Sequence, residues 1–244
     1  MWKRISAYLF DMILFGIVAV LCMLGLSAAL DYDGYSETVN AAYDTFGETY
    51  NVDLRISSSE YEKLDEDAKA RTDEALRAMN SDQESRKALN MMMQLSILIA
   101  SFGFLIGYVI MEFIIPMIFK NGQTLGKKIF GVAVMHTSFI KISGPMLFAR
   151  TILGKFAIET MVPVYIVIMM FFGTIGVTGP AILLLLFVLQ IAVLIFTSTN
   201  SAIHDLIAKT VTVDLMSQKI FENEKELIEW KEKMHAEKVQ KQAY

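Results

Sequence analysis

Between Thr160 and Ile203 the chain carries no Asp, Glu, Lys or Arg. A run of that length can cross a bilayer more than once, because about 20 apolar helical residues span about 30 Å of hydrocarbon. It cannot be folded into one water-soluble core. Composition agrees: of 244 residues, 54 % are hydrophobic and 20 % charged, against about 25 % charged in soluble domains. The single cysteine, Cys22, lies in an apolar stretch, which excludes a disulfide scaffold and makes it a small hydrophobe. A net charge of −4 excludes a general nucleic-acid binder, which would carry a basic face. The class is an integral membrane protein, with the lipid bilayer as its first partner.

The apolar stretches form four groups, running from about Ile5 to Leu30, Met91 to Phe119, Arg150 to Phe172 and Ala181 to Ala202. The third reaches spanning length only by including Lys155 and Glu159. Gly173, Gly176, Gly179 and Pro180 mark a tight turn between spans three and four. The first stretch has the basic start of a signal peptide and a small-residue Ser27-Ala28-Ala29 site. Its apolar region exceeds the about 7–15 residues of a signal and contains Asp11, so an uncleaved anchor is expected.

Basic residues set the orientation. From Lys120 to Lys155 there are six Lys/Arg and no acid, whereas from Asp31 to Lys87 seven Lys/Arg face fifteen Asp/Glu. The expectation is an all-α membrane protein, a four-transmembrane-helix bundle with both termini inside. Residues 1–30 form the first span, 31–90 an extracytoplasmic helical insertion, 91–215 spans two to four with a cytoplasmic loop over 120–149, and 216–244 a cytoplasmic tail helix.

In the insertion, Ser59 and Glu62 have capping-box spacing, predicting a charged helix from Glu60 to Met79, with a second over Thr38 to Thr49. Mixed charge favours a solvated insertion packed on itself. A docking surface for a membrane-protein partner, with Tyr35, Tyr43, Phe46, Tyr50 and Tyr61 as contacts, is the sharper alternative. In the inner loop, Ile129, Val132, Val134, Phe139, Ile140 and Ile142 flank His136-Thr137-Ser138, predicting a short hairpin. In the tail, Ile220, Leu227 and Met234 recur every seven residues over too few heptads for a coiled coil.

Gly122-Gln-Thr-Leu-Gly126-Lys127-Lys128 has its glycines one residue too close for a phosphate loop and lacks the following Ser or Thr. His136, His204 and His235 have no neighbour at zinc-ligand spacing, and the methionines read as packing, so no metal or cofactor is expected. Gly103 and Gly107 predict a close helix crossing. The informative residues are the ionisable ones within the spans, Asp11, Glu112 and Glu159. Such groups cost about 2.5–3.5 kcal/mol at a helix centre and therefore face the bundle interior, paired or wet. Arg4, Arg150, Lys155 and Asp205 lie near the membrane ends. Arg4 and Asp11 share a helix face about 10 Å apart. All these groups gather in the inner half, so Arg4 is expected against Asp11 or Asp205, and Glu112 and Glu159 within reach of Arg150 or Lys155.

Three blocks resemble the RDD family of bacterial and archaeal membrane proteins. They are Arg4-Ile-Ser-Ala-Tyr-Leu-Phe-Asp11, the loop Gly122 to Val134 with the later Arg150, and His204-Asp205 through Val213. The arginine and two aspartates that name the family map onto Arg4, Asp11 and Asp205. The resemblance covers about half the chain and leaves out the insertion and the tail. It implies a multi-pass protein of a prokaryotic cell membrane, with transport of an unidentified ligand, cation/proton exchange being one form.

Two functions compete. In the first, a secondary transporter exchanges sodium or potassium for protons, with Asp11 as the exchanging group and Thr197, Ser198, Thr199 and Asn200 as neutral oxygen ligands near Asp205. Burial moves a carboxylate towards such a role. Four spans without an inverted repeat are few for a transporter, so a homo-oligomer would build the pathway. In the second, a non-transporting interaction module uses the Arg/Asp network structurally, and the insertion or tail binds a partner. An intramembrane aspartyl protease on Asp11 and Asp205 lacks the Gly-x-Gly-Asp setting, so no enzyme is expected.

Overall fold

A computed structural model describes residues 2–119, 121–197 and 199–242. Four of its helices are long and apolar enough to span a membrane: Trp2–Ala29, Gln83–Phe119, Gly144–Phe171 and Thr178–Phe196. Their outward faces carry large unburied side chains such as Ile13, Leu21, Leu184 and Leu185. In water this would be a continuous apolar patch; lipid covers it. The helical membrane bundle expected from the sequence is what the chain forms. The second span begins eight residues before Met91, the third six before Arg150, and the fourth ends at Phe196, short of Ala202.

The chain divides into two compact units, residues 1–22 with 101–244, and residues 23–100. In the second unit, Tyr32–Tyr50 packs against Glu66–Ser81 around buried Val39, Ala75 and Met79. The predicted Glu60–Met79 helix is broken. Glu60 accepts hydrogen bonds from the Ser57 N–H (2.8 Å) and hydroxyl (2.7 Å), so the box sits at Ser57 and Glu60 and starts only the single turn Ser58–Tyr61. The long helix starts afresh where Asp65 accepts from the Ala68 N–H at 2.7 Å. An acid at an N-cap satisfies an orphan amide and complements the helix dipole.

In the first unit, the first and second spans cross at Gly107, where a Cβ would lie 3.1 Å from the Phe15 ring and 3.5 Å from Ala19. Of the expected pair, Gly107 is thus where the two spans come close. Tyr108 and Thr160 share a 2.7 Å hydrogen bond between the second and third spans. Both of these spans change winding partway. Val109–Ile114 and Ala149–Met161 are π-helical, between α-helical ends. π turns close i→i+5 bonds and concentrate at functional sites.

The inner loop is organised differently from the predicted hairpin. β1 (Val132–His136) pairs antiparallel with β2 (Thr210–Asp214), the strand that follows the fourth span. The turn at His136-Thr137-Ser138 is present, but it closes only one bridge, Met135 to Lys141. Beyond it the chain is captured by the tail, with Lys141 N–H donating to Phe221 O at 2.8 Å. A strand with buried Val132, Ala133 and Val134 gains more from a full ladder than from a two-residue return. The tail helix runs Glu224–Gln242.

Candidate functional site

The first unit concentrates its buried charge in one cluster, drawn from the first three spans, from the short helix that carries Asp205, and from a loop helix that the sequence does not flag. The third span explains how. Arg150, Lys155 and Glu159 lie five and nine residues apart. At about 3.6 residues per turn, residues nine apart would fall on opposite faces. The wider π turn brings positions five and nine apart onto one face. Lys155 Nζ then meets Glu112 Oε1 at 2.5 Å, and Arg150 Nε donates to Asp205 Oδ1 at 3.0 Å. Thr151 donates 2.9 Å to the Glu112 carbonyl, inside the π segment of the second span.

Asp205 sits on the short helix Ile203–Ala208. Its Oδ1 also accepts from the Thr210 hydroxyl at 2.7 Å. Burial works to raise its pKa, but the Arg150 charge outweighs burial, with help from His204 and Thr210, and holds it down at about 2. His204 stands between two acids. Arg150 Nη2 lies 3.0 Å from its Nε2, and a guanidinium only donates. Nε2 is therefore the acceptor and Nδ1 carries the proton, directed at Glu159 at 2.8 Å. The His204 backbone N–H also donates to Glu159, at 2.9 Å. Burial, then the Arg150 charge, pushes the imidazole below its usual range, so it is neutral at pH 7. Gly154 permits this seating, since a Cβ there would lie 2.5 Å from His204 Cβ.

Asp11, on the first span, is committed to the inner loop. It accepts from the Thr124 hydroxyl and, at 2.7 Å, from the Gly126 N–H. Thr124 caps the five-residue helix Leu125–Ile129. A Cβ on Gly126 would lie 2.5 Å from the Ala7 carbonyl, so only glycine lets the loop approach the span. The next residue, Lys127, turns its Nζ into the cluster, 3.8 Å from Glu112 Oε2. Burial, chiefly, brings its pKa down to about 8; Arg150 and Lys155 add to the drop, while Glu112 and Asp11 oppose it.

Arg4 departs from the expectation. It is exposed, and among the described residues it makes no hydrogen bond or ion pair. Its neighbour Lys3 reaches Asp214 at 2.8 Å. The position partnering Asp205 is filled by Arg150, because a helix start at the polar boundary lets Arg4 remain in water at no desolvation cost. Glu112 does pair with Lys155, whereas Glu159 binds His204 rather than Arg150 or Lys155. Nor do Thr197, Thr199 and Asn200 turn to Asp205. Thr197 accepts from the Ser201 N–H at 2.8 Å, Thr199 bonds the Ser201 hydroxyl at 2.6 Å, and Asn200 donates to Leu194 O at 3.2 Å. They close the turn after the fourth span. Ser198 and Lys120 lie outside the described residues.

Sequence reasoning missed Thr124, Gly126, Lys127 and His204 as members. A Thr opening a short segment that ends in two lysines combines an N-cap with a basic last turn, and it could have marked the loop helix. In the insertion, Tyr61 is spent on Asp73 (2.8 Å) and Tyr43 lies under Arg55, while Tyr35, Phe46 and Tyr50 are half-buried. Among the described residues no group of three or more His, Cys, Asp or Glu is placed to hold a metal ion.

Four apolar spans that enclose a knot of charge define a multi-pass membrane protein. The sequence model of the RDD family matches residues 1–209, and the chain belongs to that family. The match runs through all four spans, the inner loop and also the insertion; it stops within the His204–Val213 block. No curated protein and no solved structure matches the chain.

Proposed function

We propose that the protein is a secondary transporter that exchanges sodium or potassium for protons through this cluster. The observation that carries the reading is that the cluster is chemically unfinished. In a low-dielectric interior each orphaned polar group costs free energy, so a purely structural knot satisfies its members. Here Lys127 Nζ and Arg150 Nη1 are buried without a hydrogen-bond acceptor. Glu112 Oε2 and Asp205 Oδ2 accept no hydrogen bond among the described residues; Lys127 stands 3.8 Å from the first and His204 3.6 Å from the second. Four acidic side chains (Asp11, Glu112, Glu159, Asp205) share the cluster with three basic ones (Lys127, Arg150, Lys155). The excess negative charge favours a small cation over an anion.

In this reading the protein catalyses no covalent chemistry and uses no cofactor. It lies in the plasma membrane of a prokaryote with both termini inside, as the Lys/Arg asymmetry implies, and four spans per chain call for a homo-oligomer. Purified protein in liposomes should move protons in response to a sodium or potassium gradient. Flux no greater than that of empty liposomes, from folded protein over a range of pH, overturns the proposal. Single cysteines at Ser58 and Ser138, in a Cys22→Ala background, should label from opposite sides; labelling of both from one side overturns the orientation.

One observation favours a second reading, a non-transporting assembly module. Asp11 is fully used in fastening the loop to the first span, which is a structural task. The insertion 31–90 or the tail would then carry the partner, and the liposome measurement would be silent.

A further inference from the structure

We infer that the rim of the bundle where the first span starts and the second ends is a docking surface for anionic phospholipid headgroups, with Arg4 and Lys128 as the groups that meet the phosphate. The inference stands apart from ion exchange and does not need it.

Four chain segments are tied together at this rim. Gly126, in the loop helix Leu125–Ile129, packs on the Ala7 carbonyl of the first span. Arg4 lies one turn before Ala7, on the same helix face as Ala7 and Asp11. Lys128 Nζ sits 3.8 Å from the ring centroid of Phe119, where the second span ends. The Leu215 N–H donates to Gly131 O at 3.0 Å, which brings the turn after β2 beside the end of the loop helix. Lys3 reaches Asp214 at 2.8 Å and joins that turn to the first span.

This rim exposes large apolar groups. Trp2, Ile129 and Met216 are 82 %, 65 % and 88 % exposed. Ile129 and Met216 belong to no span, so the hydrocarbon that covers the spans does not account for them. Apolar side chains beside a membrane segment, with lysine and arginine among them, enter the boundary between headgroups and acyl chains, and tryptophan favours that level.

The charge of the rim is one-sided. Arg4 and Lys128 form no ion pair among the described residues, and the acids of the same segments are already engaged. Asp11 accepts from Thr124 and Gly126, Asp205 from Arg150 and Thr210, and Asp214 from Lys3 and the Met216 N–H. Two uncompensated cations complement a lipid with a net negative headgroup, and a guanidinium matches phosphate oxygens with paired donors. The surface is continuous with the first two spans, so the occupant is the bilayer in which they sit.

Quenching of a single tryptophan tests this. The chain has two, Trp2 and Trp230, so full-length Trp230→Phe reports from the rim alone. It is placed in vesicles of equal parts phosphatidylglycerol and phosphatidylcholine, with bromine on the acyl chains of one lipid or the other. Brominated phosphatidylglycerol should quench Trp2 the more strongly. Arg4→Gln and Lys128→Gln should each lower the enrichment up to about fivefold, and together abolish it. Lys63→Gln, exposed on the insertion, should leave it unchanged. Equal quenching by the two lipids, no quenching by either, or a preference that survives both substitutions overturns the inference. So does a preference lost when inorganic phosphate replaces chloride at equal ionic strength, since the site would then take free phosphate. If a substituted chain fails to fold, wild type decides: equilibrated with both lipids and washed in detergent, it should retain phosphatidylglycerol in excess, and retention without excess overturns the inference.

Discussion

Two ion pairs in the molecule look alike on paper and differ in kind. Arg55 meets Asp44 in the insertion at 2.6 Å, with side chains 47 % and 62 % exposed. Arg150 meets Asp205 in the cluster at 3.0 Å, with side chains 3 % and 8 % exposed. The shorter pair matters less. In water, two solvated ions gain little by touching and lose side-chain freedom. In the bundle, each ion has already lost its hydration, so removing one strands the other. Burial, not distance, sets the consequence.

The largest effect should come from breaking the inner pair. Arg150→Leu leaves Asp205, and part of the His204 contact, without their cation, and should destabilise the protein by about 3–5 kcal/mol. Asp44→Ala should leave the unfolding midpoint in detergent where it was. Equal shifts for the two variants would break the comparison.

Asp11 separates hydrogen bonding from charge. Asp11→Ala orphans the Gly126 N–H and the Thr124 hydroxyl, costing roughly 2–4 kcal/mol at about 1–2 for each. Asp11→Asn keeps an acceptor for Gly126, and the Thr124 hydroxyl can turn to accept from the amide. It should recover more than half of that loss in the same unfolding measurement. An Asn variant as unstable as Ala would show that Asp11 acts by its charge.

How much of this was legible in the sequence follows the same division. The spans were plain, because their signal is composition over a length that the bilayer fixes. Asp11, Glu112, Glu159, Arg150, Lys155 and Asp205 were flagged because charge within an apolar run is conspicuous. Their pairing is only partly legible: Glu112 meets Lys155 as expected, whereas Arg150 on Asp205 and Glu159 on His204 do not follow from the sequence. It depends on a π segment over Ala149–Met161, and face assignments made at the α-helical period put Arg150 and Glu159 on opposite sides. Arg4 is expected against Asp11 or Asp205 because its spacing from Asp11 puts the two on one face, yet spacing along one helix says nothing of which chain segment returns to it. Lys127 was hidden because a lysine in a polar loop reads as solvated. Only Asp11's hold on Thr124 and Gly126 turns that loop inward.

A steric prediction comes next in size. Gly154→Ala places a Cβ within 2.5 Å of His204 Cβ, and the short helix must shift. Overpacking of this kind costs about 1–3 kcal/mol. Gly16→Ala, with nothing within 4 Å of its Cβ, is the control on an open face and should not destabilise. A Gly154→Ala protein as stable as wild type would mean that the His204 helix yields freely, and that the cluster is looser than its hydrogen bonds imply.

The smallest effect is a pH dependence, and its sign is fixed by His204. Burial and Arg150 lower its pKa in the folded protein, whereas in the unfolded chain it titrates near about 6.5. As pH falls through that value, the unfolded state takes up a proton that the folded state refuses, so folding stability declines. Asp205, held at about 2, stays ionised across the same interval and contributes no slope there. The unfolding midpoint in detergent should therefore drop between about pH 7 and 5.5. In His204→Gln the drop should be shallower, since glutamine can offer a donor to Glu159 and an acceptor to Arg150 without titrating. The exposed pairs of the insertion cannot mimic this, because their groups remain solvated in both states. An unchanged slope in His204→Gln would mean that the imidazole takes up its proton alike in the folded and the unfolded chain, and a steeper one that it is already protonated in the fold.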